Sequence, residues 1–427
     1  MAFLTTSIDR SRAQMSMIIV TLLCPIVGLF YSLYHWRKFW AKNTFWLACM
    51  YMGAIQIFHP EGTTLGIGAD GGRYALKLLH MHYMELTLRE TVSFLFADNK
   101  SLDLYQPILT YIISRFTANG HVLFFVFAFV FGFFYSRNIW YVLEKLEGRL
   151  GDWSWVLIAF YFLICPIWNI NGVRMWTALH IFVYGAMPFV FEKDRSKLKW
   201  CFLSLLVHFS FLFPVLILLL YVFVPKSVIK IYFIFYLATL FLKEIDLSVV
   251  RNFLLEYLPI VYEDKISGYT NEEYALKRTE EVAGLSLHVI LSEKITYWII
   301  QVYIVMSFFA IRKYLKENES IKRLFIFSLL IYGVSNIFAL VPSGERFLVL
   351  SQMFMIPVFL FVIKKVPKNT YMKLLHPIFM ILMLFVIVFY IRKGFDFYGL
   401  SLMCGNFITM FFITTDIPII NFVKQLF

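Results

Sequence analysis

The chain has 427 residues, 60% of them hydrophobic and 15% charged, with a formal net charge of +12 and a mean hydropathy of +0.73. Length alone suggests two or three soluble domains, but soluble domains are about 45–50% apolar and about 25% charged. The composition therefore points to an all-α polytopic integral membrane protein, a single transmembrane domain over 1–427, and excludes disordered, collagenous, coiled-coil and disulfide-stapled chains. The basic excess reads as cytoplasmic loops rather than nucleic-acid binding, because no basic run outgrows a short loop.

The first apolar stretch, Met15–Tyr34, is preceded by no small-residue cleavage site and reads as a retained span. Crossing a bilayer takes about 20 apolar residues. The further candidates are 44–58, 120–136, 153–168, 175–191, 201–224, 231–243, 295–311, 324–341, 347–363, 374–391 and 400–415. With a broken hairpin included, about 12–14 transmembrane helices are expected. Lys and Arg gather in 35–43, 137–152, 192–199, 225–230, 312–323 and 364–373, which places these loops inside. Loops 59–119, 169–174, 244–294, 341–346 and 392–399 then face outward.

Segment 201–224 lies between two inside loops, and a single crossing cannot satisfy both. Pro214 interrupts it, with His208 and Ser210 as the polar residues at the break. The segment is expected to turn back as a re-entrant hairpin, since broken backbone is tolerated where it is buried in protein or lines a cavity; otherwise Lys226 and Lys230 sit outside as exceptions. In loop 59–119, Leu76, Leu79, Tyr83, Leu86, Val92 and Phe96 recur at helical spacing, which predicts an amphipathic helix on the membrane surface. Residues 102–117 predict a second, partly inserted helix. Loop 244–294 is acidic and tyrosine-rich.

Ionisable groups at the membrane edge are costly unless paired or functional. Arg73, Arg174 and Arg346 stand at outward ends of spans, each beside Gly and a polar residue. A guanidinium fork suits phosphate oxygens; the plainer reading is interfacial snorkelling or ion pairing. Gly66-Ile-Gly68-Ala-Asp70-Gly71 contains a formal G-x-G-x-x-G, but no βαβ unit surrounds it, so it is not a dinucleotide site. Asp70 is either a general base or a partner of Arg73, and Glu345 beside Arg346 poses the same choice. His208 is either a buried structural histidine or a donor to a substrate phosphate or hydroxyl. His80 and His82 point to opposite sides of a helix and share no metal. No D-x-D occurs, the five cysteines form no C-x-x-C, and no metal or other cofactor is called for.

At these residues the chain resembles the EpsG-like proteins, a branch of the Wzy-type polymerases of bacterial exopolysaccharide, capsule and O-antigen. Gly68-Ala-Asp70-Gly-Gly-Arg73-Tyr74 stands where that family has a Gly-x-Asp-Tyr stretch, with two extra glycines and Arg73 displaced. Asp103-Leu-Tyr105-Gln-Pro107 through Asn119 resembles its acidic-Pro-aromatic segment, and Phe131 through Asn138 the cytoplasmic end of the next span. Asn171-Gly-Val-Arg174 and His208-Phe-Ser210 match its Arg and His-x-Ser positions.

The resemblance implies a glycosyltransferase at the outer face of the bacterial cytoplasmic membrane. It would join oligosaccharide repeat units carried on undecaprenyl diphosphate, with a flippase and a chain-length regulator as expected partners. Arg174 and Arg346 are expected on the diphosphate with Arg73 and His208 as helpers. Asp70 and Glu345 compete as base, and Tyr74, Asp103, Tyr105, Asn171 and Ser210 are expected near the substrate. Rival readings are a lipid-linked oligosaccharide flippase, a transferase using a polyprenyl-phosphate sugar, and a non-catalytic scaffold.

Overall fold

A computed structural model describes residues 7–58, 70–84, 89–90, 103–146, 148, 150–151, 153–225, 228–242, 244–258, 260–271, 273, 276, 280, 287–363, 370–412 and 416–425, and among these there is no strand. The regular elements are helices joined by short turns, as expected of a chain that must satisfy its backbone internally in lipid. The Gly66–Ala69 half of the glycine-rich stretch, His59, Leu86, Val92 and Phe96 lie outside the described residues.

The N-terminal span is kinked. Helix α1 (Ser7–Leu23) passes into α2 (Pro25–Tyr34) through Pro25, which has no N–H to continue the ladder. Next come α3 (Ala41–Ala54), α4 (Gly71–Tyr83), α5 (Tyr105–Ser114) and α6 (Gly120–Glu144). Helices α7 (Ser154–Leu163) and α8 (Val173–Glu192) are separated by a 3-10 turn at Ile167–Gly172. Then follow α9 (Leu198–Val207), α10 (Leu212–Phe223), α11 (Ile229–Thr239), α12 (Leu247–Tyr257) and α13 (Glu263–Tyr269). The chain closes with α14 (Leu287–Glu317), α15 (Glu319–Phe338), α16 (Arg346–Val362), α17 (Thr370–Gly394), α18 (Ser401–Cys404) and α19 (Ile419–Gln425).

Among the described residues, five stretches are long and apolar enough to cross a membrane: Gly120–Glu144, Ser154–Glu192, Val289–Phe309, Glu319–Phe338 and His376–Gly394. Shorter apolar helices lie at Arg12–Leu23, Pro25–Tyr34, Phe209–Phe223, Ile229–Thr239 and Arg346–Val362. The expected span at 400–415 is not one helix. It folds as the four-residue α18 and a 3-10 turn at Thr409–Phe411, because Gly405 and Asn406 break the run and Asn406 Oδ1 accepts from the backbone of Ile408 and Thr409.

Contacts between loops mark out the two ends of the bundle. Lys42 pairs with Glu144 and Lys145 with Glu192. Arg37 donates to the Gly148 carbonyl, and Arg323 to the Val190 and Phe191 carbonyls. These contacts gather the basic loops at one end, while Gln56 on the Trp168 carbonyl and Asn119 on the Phe411 carbonyl join segments at the other. Such exposed ion pairs add little stability; their value here is that they locate loops.

Segment 198–223 reverses. Helix α9 has 10 residues and α10 has 12, about 15 and 18 Å of rise. Between them His208 is extended (φ −150°, ψ 118°) and Phe209–Phe211 form a 3-10 turn. The far end of α10 returns to the basic end, where the Tyr221 hydroxyl donates to the Arg323 carbonyl. The hairpin apex therefore sits at the opposite end, among the outward-predicted segments.

Candidate active site

Three arginines open three helices. Arg73 lies in the first turn of α4, Arg174 in the first turn of α8 and Arg346 in the first turn of α16. A cation there opposes the positive end of the helix dipole, whereas an anion is favoured by both.

Asp103 draws the site together. It is 1% exposed and stands just before α5. Oδ2 accepts from Arg174 Nη1 at 2.9 Å, and Oδ1 accepts the Phe209 backbone N–H at 2.8 Å. His208 Nδ1 lies 3.7 Å from Oδ1. The backbone N–H and the hydroxyl of Ser210 each lie 3.4 Å from Nδ1. The Leu104 backbone N–H donates to the Leu206 carbonyl. One carboxylate thus joins α5, the start of α8 and the hairpin apex.

Asp70, at the N-terminus of α4, is paired with Arg73 and accepts from the Tyr74 hydroxyl at 3.1 Å. Tyr74 is buried and also touches Arg174. Burial and Asp70 push its phenol up to about 12 against the opposing pull of Arg174. Gly71 is required by a close approach: a Cβ there would meet Asn171 Oδ1 at 2.4 Å. Asn171, buried in the 3-10 turn before α8, thereby seats α4 against the segment that carries Arg174. Tyr105 lies under the cluster, tilted against Phe127 at a centroid distance of 5.9 Å.

On the far side of the hairpin apex is a cavity of ≈ 590 Å³. Its walls are apolar side chains of α10, α12, α13 and the Phe338–Phe347 corner, among them Phe213, Leu216, Phe253 and Phe347. His208, Ser210 and Arg346 also line it. The roof is fixed by Arg251, whose Nε and Nη2 donate to Oγ1 and the carbonyl of Thr270 at 3.1 and 2.6 Å. The corner itself is tight. Ser343 has φ 66°, and a Cβ on Gly344 would run into the Phe338 carbonyl. Glu345 is exposed beside Arg346.

Asp70, Arg73, Tyr74, Asp103, Arg174, His208 and Ser210 therefore form one run of contacts, with Asn171 packed on Gly71 and Tyr105 two residues beyond Asp103, while Glu345 and Arg346 stand on the opposite bank of the cavity. Two features escaped the sequence. Asp103 acts as a clasp, which no local pattern announces. Lys77, half-buried beside Arg174, is signalled only by its three-residue spacing from Tyr74.

A bundle that is helical throughout its described residues, with five stretches long and apolar enough to cross a bilayer, is a polytopic membrane protein. The model of the EpsG family matches residues 61–409, and the chain belongs to that family, a membrane protein of polysaccharide biosynthesis. No curated protein and no solved structure matches it.

Proposed function

We propose that this chain is a glycosyltransferase that polymerises undecaprenyl-diphosphate-linked oligosaccharides at the outer face of the bacterial cytoplasmic membrane. The observation that carries this reading is Arg346 at the start of α16, lining an apolar cavity whose inner wall carries His208 and Ser210. An isoprenoid chain suits the walls, and a diphosphate suits the arginine and the imidazole of His208.

In the transfer, the bond between the donor sugar's anomeric carbon and its phosphate oxygen breaks, and the electron pair leaves with undecaprenyl diphosphate. The acceptor hydroxyl forms the new glycosidic bond and gives up its proton. Arg346 and His208 oppose the charge that grows on the leaving diphosphate, by donors already in place before the reaction. The proton goes to a carboxylate. Asp103 has both oxygens engaged by Arg174 and Phe209; Asp70 at the start of α4 and Glu345 at the start of α16 are the two carboxylates that compete for this role. A flippase and a chain-length regulator are the expected partners.

The test is reconstitution of the full chain in liposomes with undecaprenyl-diphosphate-linked repeat units. A ladder of longer glycans supports the reading. Repeat units that cross the bilayer without growing in length point instead to a flippase.

A further inference from the structure

The basic end of the bundle carries a recess of its own. The turn between α2 and α3 and the last two turns of α6 enclose a cavity of ≈ 330 Å³, lined by Trp36, Arg37, Lys38, Lys42, Trp140 and Glu144. Its frame is fixed. Trp36 and Trp140 are buried, and the Trp140 indole N–H donates to the Trp36 carbonyl at 2.9 Å. That bond seats the turn on α6.

Three lining side chains are cations and one is an acid, so the recess attracts an anion. The Arg37 guanidinium lies over the Trp36 ring at 4.3 Å and donates through Nη2 to the Gly148 carbonyl at 2.7 Å. It is oriented by these contacts and has further N–H donors. Lys42 faces Glu144 at 3.4 Å, with side chains 32% and 58% exposed, a contact too wet to hold the ammonium firmly. Lys38 is exposed, and among the described residues none pairs with its ammonium. The rim is apolar. Phe39 lines the cavity and is exposed, as are Tyr34 at the end of α2 and Phe30 one turn before it. Tryptophan and tyrosine at the end of a span mark headgroup depth. The same basic loops mark this end as the cytoplasmic one, where the leaflet carries anionic lipid and basic pockets between helices take its head groups.

We propose that this recess binds the phosphate of an anionic phospholipid of the cytoplasmic leaflet, with Arg37, Lys38 and Lys42 as donors to its oxygens and the acyl chains leaving past Phe39. A soluble anion would need the cations alone; the exposed aromatic rim is what favours a lipid. The site stands at the other end of the bundle from the Arg346 cavity and does not depend on the reaction proposed there.

The experiment is native mass spectrometry of the full chain, released from detergent and titrated with phosphatidylglycerol. Phosphatidylcholine is the zwitterionic control, and glycerol phosphate the anion without chains. Wild type is expected to retain phosphatidylglycerol in preference to phosphatidylcholine. Lys38→Gln and Lys42→Gln should each weaken that binding about fivefold, and Lys38→Arg should keep it. Lys322→Gln, which removes a lysine paired with Glu319 at the same end but outside the recess, should bind as wild type does. Equal retention of the two lipids, wild-type binding by the Lys38→Gln, Lys42→Gln double variant, or an equal loss in Lys322→Gln would each overturn the site. Displacement of the lipid by glycerol phosphate at matched concentration would overturn the lipid and leave a soluble-anion site in its place.

Discussion

Asp103 and Arg174 are 71 positions apart in sequence and meet at 2.9 Å, with the acid buried and the side chain of the base 32% exposed. The acid is therefore fixed, and the arginine keeps a face toward solvent or ligand. An arginine held by one edge retains donors for a second anion.

Asp103→Asn tests this arrangement. The amide keeps an acceptor for one donor and loses the charge opposite Arg174. Charge-assisted hydrogen bonds contribute about 1.5–3 kcal/mol, and the partial exposure of Arg174 lowers that to about 1 kcal/mol. A melting temperature lowered by a few degrees in detergent is expected, with polymer yield falling much further than stability. A variant that makes full-length polymer would remove Asp103 from the site.

His208 is expected to act as a donor. His208→Leu should lower transfer about 10²–10³-fold, the usual effect of deleting one donor to developing charge. His208→Gln retains an N–H and should lose about tenfold less. Initial rates on lipid-linked repeat units, measured at saturating substrate, separate the two variants; equal losses would mean that the imidazole is structural.

The seating of α4 on Asn171 is a steric prediction. Gly71→Ala puts a methyl group into the Asn171 side chain, and overpacking of this kind costs about 1–3 kcal/mol. Asn171→Ala in the same chain makes room and should restore part of that stability. A double-mutant cycle on thermal unfolding gives the coupling; strict additivity of the two changes would show that the contact does not form.

The hairpin makes a prediction about sidedness. Ser196→Cys and Val228→Cys, each in a chain whose native cysteines are replaced, should react with impermeant maleimide only after the membrane is opened. Glu345→Cys should react in intact cells. Labelling of positions 196 and 228 from opposite sides would turn the hairpin into a single crossing.

The hairpin was legible because a charge rule and a proline agreed: basic loops on both sides and Pro214 within. Arg174 and Arg346 were legible as cations at span ends. The inward face of α4 was not. The apolar stripe Leu76, Leu79, Tyr83 is the exposed one, and the buried face carries Gly71, Tyr74, Leu78 and Met81. In lipid an apolar side chain gains little by turning inward, so hydrophobic periodicity finds the helix without saying which side packs. Helix α5 shows the same inversion, with Gln106, Thr110 and Ser114 buried and Ile108 and Ile112 exposed. Arg73 was therefore weighted equally with Arg174, although it turns outward to Asp70, and Lys77 passed unnoticed. The 400–415 run misled because its length of apolar sequence hid Gly405 and Asn406.

The return of α10 to its starting end has a consequence for parity. A re-entrant pair adds two helices to the bundle and no change of side, so every loop after residue 224 faces as it would if the pair were absent. The segment bearing His208 and Ser210 is in this sense an insert: it can be lengthened, shortened or exchanged without inverting anything downstream. Chemistry carried on such an insert can vary while the orientation of the remaining helices stays fixed.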